Sequence, residues 1–117
     1  MDDRTRKIAA AAERRTPAMV RFLREMIAIP SESGAEAAVV ARVAAEMEAV
    51  GFDEIKIDGM GNVLGRVGSG KTVIVLDGHL DTVGVGDRST WTRDPYAGAV
   101  EGGVIRSEEH TSELQSL

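Results

Sequence analysis

The chain has 117 residues, enough for one domain at most, and it contains no cysteine, which excludes disulfides and thiolate zinc sites. Its net charge of −5 argues against nucleic acid and anionic membranes as partners, and no apolar stretch could span a bilayer. The start, Met1-Asp2-Asp3-Arg4, lacks the cationic-then-apolar order of a signal peptide, so the cytoplasm is the expected location.

The first part of the chain has helical patterns. Residues 1–16 are rich in alanine and arginine and are predicted to be helical, although they lack a sustained apolar face. Thr16-Pro17 is typical of a helix start, with a capping side chain followed by proline at the first helical position. The apolar stripe that follows has helical spacing and is predicted to end before Pro30.

A second helix is predicted after Ser33, because Ser33 and Glu36 match a capping box. Gly51 stands where a left-handed helix end is expected. The inner face of this helix is predicted to contain, at helical spacing, Val39, Val40, Val43, Met47 and Val50.

Beyond the second helix the hydrophobic period changes to two, which indicates strands. Residues 54–58 alternate between polar and apolar side chains, which predicts a first strand. Residues 59–62 are rich in glycine and asparagine, which are typical of turns, and Val63 to Val67 is the predicted returning strand. Residues 97–105 are a possible hairpin, with a turn that includes Glu101, Gly102 and Gly103. The order is helix, helix and then several strands, and the expected fold class is α/β, with helices packed on a mixed β-sheet.

The stretch from Val73 to Val83 is the one around which the chain is organised. The unbroken apolar run Val73–Leu76 predicts a strand buried on both faces of the sheet, and polar residues follow at its carboxyl end. In an extended chain His79 and Asp81 point to the same side, about 7 Å apart. Such a pair can be a metal ligand with its orienting group or a proton-transfer pair; a hydrogen-bonded histidine at a strand end is the simpler alternative.

The segment Gly65 to Thr72 matches the phosphate-loop pattern G-x-x-x-x-G-K-[ST] at every position. Such a loop binds phosphate because it opens a helix. Here Lys71-Thr72 leads into a β-branched run, which favours a strand instead. A nucleotide-binding module therefore stands as the alternative function, and a helix beginning at Gly70 would favour it.

The segment from Asp77 to Val83, DGHLDTV, resembles the first metal-binding motif of the di-zinc amidohydrolases and peptidases. That family includes acetylornithine deacetylase, succinyl-diaminopimelate desuccinylase, aminoacylase and the glutamate carboxypeptidases. The resemblance covers roughly residues 17–105 and is strongest to hydrolases associated with selenium metabolism. Further matching stretches occur in the same order as in the family, at residues 29–33, 59–63 and 91–98.

The resemblance implies that His79 is a ligand of one of two zinc ions and that Asp81 acts in catalysis by orienting the imidazole. In the family a zinc-bridging water attacks an amide carbonyl, with a glutamate as general base. Cobalt or manganese can replace zinc at such ligands, and no other cofactor is implied. The expected substrate is a small-molecule amide or a peptide; acyl-amino acid and carbamoyl compounds are not distinguished.

Most of the family's ligands, its general base and its inserted dimerisation domain have no matching position here. The resemblance therefore implies the truncated amino-terminal part of a zinc-peptidase-like catalytic domain. The 117-residue chain alone is expected to be inactive, and a homodimer is an expectation for a longer parent protein only.

Residues 106–117 are expected to be a non-native tail on a catalytic-domain fragment, residues 1–105. The letters RSEEHTSELQS, residues 106–116, resemble one reading frame of a widely used sequencing adapter. A genuine polar terminal tail is the alternative. His110 lies in this stretch and is not counted as a metal ligand. A third hypothesis for the function is that the chain is an artefactual fragment with no function of its own.

Overall fold

The computed structural model describes residues 1–107, and it begins with one long helix, α1 (Asp3–Ile27). The Asp2 carboxylate caps α1 by accepting a hydrogen bond from the Thr5 amide, 2.7 Å away. The helical prediction for residues 1–16 and the end before Pro30 are confirmed. The predicted start at Thr16-Pro17 is wrong, because residues of high helix propensity on both sides carry α1 through the proline.

The second helix, α2 (Ala37–Ala49), packs against α1. The guanidinium of Arg42 lies 4.9 Å from the centre of the Phe22 ring and pairs with Glu25 and Glu46, which joins the two helices at their surface. Neither helix in residues 1–107 has the length and apolar character needed to cross a membrane. The core consists of Ile27, Val39, Val40 and Val43.

The predicted inner face of α2 is confirmed at its three core valines, whereas Val50 is exposed because it already lies at the helix end. Gly51 has φ +89° and ends α2 as predicted. The Phe52 amide donates to the Met47 carbonyl at 2.9 Å, and the Gly51 amide donates to the Glu48 carbonyl at 3.1 Å. This is the bonding pattern of a Schellman motif, and it turns the chain from α2 into the first strand.

Both predicted hairpins form, and each is a separate two-stranded antiparallel sheet. In the first, Asp58 holds the turn by accepting the amides of Met60 and Asn62, each at 2.9 Å. In the second, Gly102 and Gly103 form the turn with positive φ, so Glu101 belongs to a strand. The strands are β1 (Glu54–Ile57), β2 (Val63–Arg66), β3 (Val100–Glu101) and β4 (Val104–Ile105).

The predicted central strand, Val73–Leu76, does not form, and its four residues are 78% to 93% exposed. A strand exists only through hydrogen bonds to a neighbouring strand, and within residues 1–107 no strand lies beside this run. The single mixed sheet expected from the sequence is therefore absent from the described part of the chain. Helices combined with small antiparallel sheets are consistent with the α/β class.

The phosphate-loop alternative has no support in residues 1–107. Gly65 lies in β2, and no helix begins at Gly70. A Cβ atom added to Gly65 would lie 2.5 Å from Phe52 Cδ2 and 2.7 Å from Met47 Sδ. The glycine is therefore required by the close approach of β2 to these side chains, and the match to the phosphate-loop pattern has no phosphate-binding counterpart.

The expected non-native tail, residues 106–117, lies outside the described residues except for Arg106 and Ser107. The Arg106 amide donates to the Ala99 carbonyl at 3.0 Å and so extends the second hairpin by one bond. The assignment of the tail and the boundary at residue 105 therefore stay predictions.

We expect Gly65→Ala to lower the free energy of unfolding by about 1–3 kcal/mol, because the added methyl group would overlap Phe52 and Met47. Urea denaturation followed by circular dichroism measures the change. Gly70→Ala is the matched control, since nothing lies within 4 Å of its Cβ position, and it should change stability by less than about 0.5 kcal/mol. Equal effects at both glycines would contradict the packing explanation.

We expect Val75→Lys to reduce self-association of the chain, because it places a charge in an exposed run of apolar, mostly β-branched residues. Light scattering as a function of protein concentration measures the effect. Met60→Lys is the matched control, since Met60 is also an exposed apolar residue but lies in a turn outside the run. A reduction of the same size in both variants would show that added charge alone is responsible.

Candidate functional site

The predicted site lies where the loop after α1 meets the segment with the metal-binding pattern. The Thr82 amide donates to the Ser31 carbonyl at 2.9 Å, and Glu32 and Thr82 form an isolated parallel bridge. The Ser31 hydroxyl donates to the Leu80 carbonyl at 3.2 Å and lies 3.3 Å from the Thr82 hydroxyl. Ser31 is only 1% exposed. A buried hydroxyl requires hydrogen-bond partners, and these bonds fix residues 80–82 against the loop that follows α1.

Asp81 is the central group of the site. Its Oδ1 lies 2.9 Å from His79 Nδ1, and its Oδ2 accepts a hydrogen bond from the Ser33 hydroxyl. The main-chain carbonyl of Asp81 also lies 2.9 Å from His79 Nδ1. The side chain of His79 is 63% exposed and that of Asp81 is 37% exposed. The structure thus brings the two predicted site residues into contact at the surface and adds a third, Ser33.

The prediction that Ser33 caps the second helix is wrong. Glu36 is the residue before α2, no side chain caps that end, and the Glu36 carboxylate instead accepts the Gly34 amide at 3.0 Å. An ionised carboxylate is a stronger acceptor for the Ser33 hydroxyl than a carbonyl or water. The only signal for this contact in the sequence was the matching stretch at residues 29–33.

The hydrogen bond from Ser33 is the main cause that lowers the pKa of Asp81, and the contact with His79 lowers it further. Both favour the ionised carboxylate. An ionised Asp81 can only accept a hydrogen bond at this contact, so it favours the tautomer of the neutral imidazole in which Nδ1 carries the hydrogen and donates it. A ring held in this way presents Nε2 as the nitrogen that can bind a metal ion.

The described residues hold one candidate metal ligand at this site. Within residues 1–107, no group of three histidine, aspartate or glutamate side chains is close enough to bind a metal ion. The imidazole of His79 has the chemistry of one metal ligand, and the carboxylate of Asp81 has the chemistry of the group that orients it. Catalytic zinc needs three protein ligands and an open position, so these residues fit one part of such a site.

Serine, histidine and aspartate are also the residue types of a hydrolytic triad, but their connection here is different. In a triad the imidazole lies between the serine and the carboxylate and takes the serine proton. In this site the carboxylate of Asp81 lies between Ser33 and His79, and the hydroxyl donates to the carboxylate. The arrangement therefore does not activate Ser33 as a nucleophile.

The aromatic residues downstream of the site have partners within their own loop. The Trp91 indole donates to the Val85 carbonyl at 2.8 Å, and the Arg88 guanidinium lies 5.5 Å from the centre of the Tyr96 ring. These contacts account for both aromatic side chains as part of the loop structure.

Several known proteins are similar to this chain. The uncharacterised protein YgeY of Escherichia coli K12 is 56% identical over 80 residues, which are 68% of this chain and 20% of YgeY. The succinyl-diaminopimelate desuccinylase of Stenotrophomonas maltophilia is 36% identical over 83 residues, 69% of this chain and 22% of the relative. That of Afipia carboxidovorans is 30% identical over 89 residues, with coverages of 70% and 23%.

The chain spans about a fifth of the length of these curated relatives. No family model matches it, and no solved structure matches it. The relatives support a relationship with the peptidase family that contains the desuccinylases, over about 70% of the chain.

We expect Asp81 to titrate below the ordinary aspartate range of about 4, because its bonds to Ser33 and His79 stabilise the ionised form. A depressed pKa in the folded state stabilises the fold above the pKa of the unfolded chain, and this contribution is lost as the pH falls through the folded value. Carbon-13 NMR of the carboxyl group measures it, with Asp81→Asn for assignment. A pKa at or above the ordinary value would contradict the observed bonding.

Proposed function

We propose that this chain is the amino-terminal part of a metal-dependent hydrolase that cleaves amide or peptide C–N bonds. The observation that carries the proposal is the contact of the Asp81 carboxylate with Nδ1 of His79, within a segment that resembles a metal-binding motif. The named relatives support the same reaction class, since two of them are desuccinylases.

In this proposal His79 is one ligand of a catalytic zinc ion and Asp81 is the group that orients it. A bound zinc ion would lower the pKa of a water molecule and polarise the substrate carbonyl. The residues of this chain supply orientation and basicity: the Asp81 carboxylate accepts a hydrogen bond from Nδ1–H of His79 and raises the basicity of the opposite ring nitrogen. The exposure of the imidazole leaves it accessible from solvent.

The remaining ligands and the general base are proposed to come from other parts of a longer protein. The described residues provide one ligand where three are needed, so we propose that the 117-residue chain is inactive by itself. A small-molecule amide or a peptide is the proposed substrate class, with cobalt or manganese as alternatives to zinc. A cytoplasmic location and a homodimeric parent belong to the same proposal.

A chimera tests this function. The residues of the Stenotrophomonas maltophilia desuccinylase that match this chain are replaced by those of this chain, which are 36% identical over 83 residues. We expect the chimera to release succinate from succinyl-diaminopimelate, to lose activity with a chelator and to regain it with zinc. His79→Ala should lower kcat/KM by at least about 100-fold, and Asp81→Asn by about 10- to 100-fold, because the second residue only orients the ligand.

Lys56→Ala is the control variant in the chimera, since Lys56 is exposed on β1 and lies outside the site. It should retain full activity. An active chimera that is unaffected by the chelator, or by His79→Ala, would overturn the proposal. Activity that resists the chelator but needs both His79 and Asp81 would instead support a proton-transfer pair.

A further inference from the structure

The hydroxyl of Ser33 is bonded to the site and not to the helix that follows it. Its observed bond is to Oδ2 of Asp81, the oxygen that faces away from the His79 contact, and the two residues are 48 positions apart in the chain. We infer that Ser33 is a positioning residue, which holds Asp81 so that this carboxylate fixes the tautomer and orientation of His79. The inference deepens the proposed function and rests on it, since a metal ligand is what requires a fixed ring.

A surface carboxylate needs two attachments to be fixed. Asp81 is 37% exposed, and with one hydrogen bond its side chain could still rotate about that bond at little cost. Here each carboxylate oxygen has a different partner, His79 on one side and Ser33 on the other. Two hydrogen bonds to groups on separate segments restrict both the position and the plane of the carboxylate. Groups that hydrogen-bond to metal ligands orient those ligands in the same way.

The backbone that carries Ser33 is itself held in place. Ser31, two residues earlier, is buried and bonded to residues 80–82. The Ala35 amide donates to the Glu32 carbonyl at 2.8 Å, which closes a turn around Ser33. The hydroxyl is therefore presented by an anchored turn, and its direction toward Asp81 is set by the fold.

Gly84 gives a second sign that the two segments fit closely. A Cβ atom added at Gly84 would lie 3.2 Å from Oε1 of Glu32, the neighbour of Ser33. The side chain of Glu32 therefore reaches Gly84, two residues beyond the contacts that Ser31 makes with residues 80–82. The contact between Ser33 and Asp81 thus has neighbouring contacts on both sides, from Ser31 to Leu80 and from Glu32 to Gly84.

The test is the tautomer of His79 in the metal-free 117-residue chain, measured by long-range proton–nitrogen NMR at about pH 9, where an ordinary imidazole is neutral. The chain has two histidines, so His110→Gln assigns the signals. We expect His79 to be mainly in the Nδ1–H form. Ser33→Ala should lower the ratio of Nδ1–H to Nε2–H by roughly two- to ten-fold, which is the range that the net contribution of one hydrogen bond corresponds to, and Ser33→Thr should restore it.

Ser89→Ala is the matched control, because Ser89 donates a hydrogen bond of 2.7 Å to Asp87, another exposed serine–aspartate pair outside the site. It should leave the His79 tautomer unchanged, and circular dichroism should show that every variant keeps the helices. An unchanged tautomer ratio in Ser33→Ala, or a ratio that Ser33→Thr does not restore, would overturn the role of Ser33.

The outcome is separable from that of the proposed function. In the chimera, Ser33→Ala should weaken zinc binding by about ten-fold, measured by competition with a zinc indicator, without abolishing it. Wild-type zinc affinity in this variant would overturn the role of Ser33 while the chelator test of the hydrolase still stands. A chimera that is active without a metal ion would overturn the proposed metal-dependent function. The tautomer measurement would still report whether Ser33 orients the His79 ring.

Discussion

The contact between residues 31–33 and residues 80–82 is the constraint on which the candidate site depends. The helices and the first hairpin hold together through the apolar core and α2, but the segment after β2 runs exposed for most of its length until it reaches Leu80. Buried Ser31 then binds it through its hydroxyl and its carbonyl. These bonds, made across about 50 residues, offset the entropy of closing so long a loop.

The same constraint explains the chemistry of the site. Thr82 is paired with the backbone of Ser31 and Glu32. The side chain of Asp81, the residue before Thr82, is therefore held next to Ser33. The spacing of two residues then brings His79 to the same side of the chain, as an extended backbone requires. The carboxylate thus lies between a hydroxyl and an imidazole, and its low pKa follows from that placement.

Features that depend on local sequence were predicted well. The buried valines of α2, the left-handed Gly51 and both hairpins follow from periods and turn residues within a few positions of each other. The helix start at Thr16 was not predicted correctly, because the propensity of the surrounding residues outweighs the cost of one interior proline. The strand prediction for Val73–Leu76 was wrong for a different reason. The apolar pattern shows that such a strand needs neighbours on both faces and edges, but it does not show whether a neighbouring strand is present.

Two motifs were misread because a spacing can satisfy more than one pattern. Ser33 fits a capping box, yet its partner lies 48 residues away on Asp81. Gly65 fits a phosphate loop, yet it is required by the side chains of Phe52 and Met47. In both cases the residue type was informative and the local pattern was not, since the deciding contact is made in space. The pair of His79 and Asp81 was found from the sequence because its partners are only two positions apart.

The exposed apolar run and the incomplete ligand set of residues 1–107 have one physical origin in the proposed hydrolase. The run Val73–Leu76 leads within three residues to His79, and ligands in open α/β sheets gather at the carboxyl ends of adjacent strands. A neighbouring strand that pairs with this run would bury its side chains and would bring its own carboxyl end beside His79. In the proposed hydrolase, one neighbouring strand would thus complete both the sheet and the metal site, and the free energy of apolar burial would offset the cost of bringing charged ligands together.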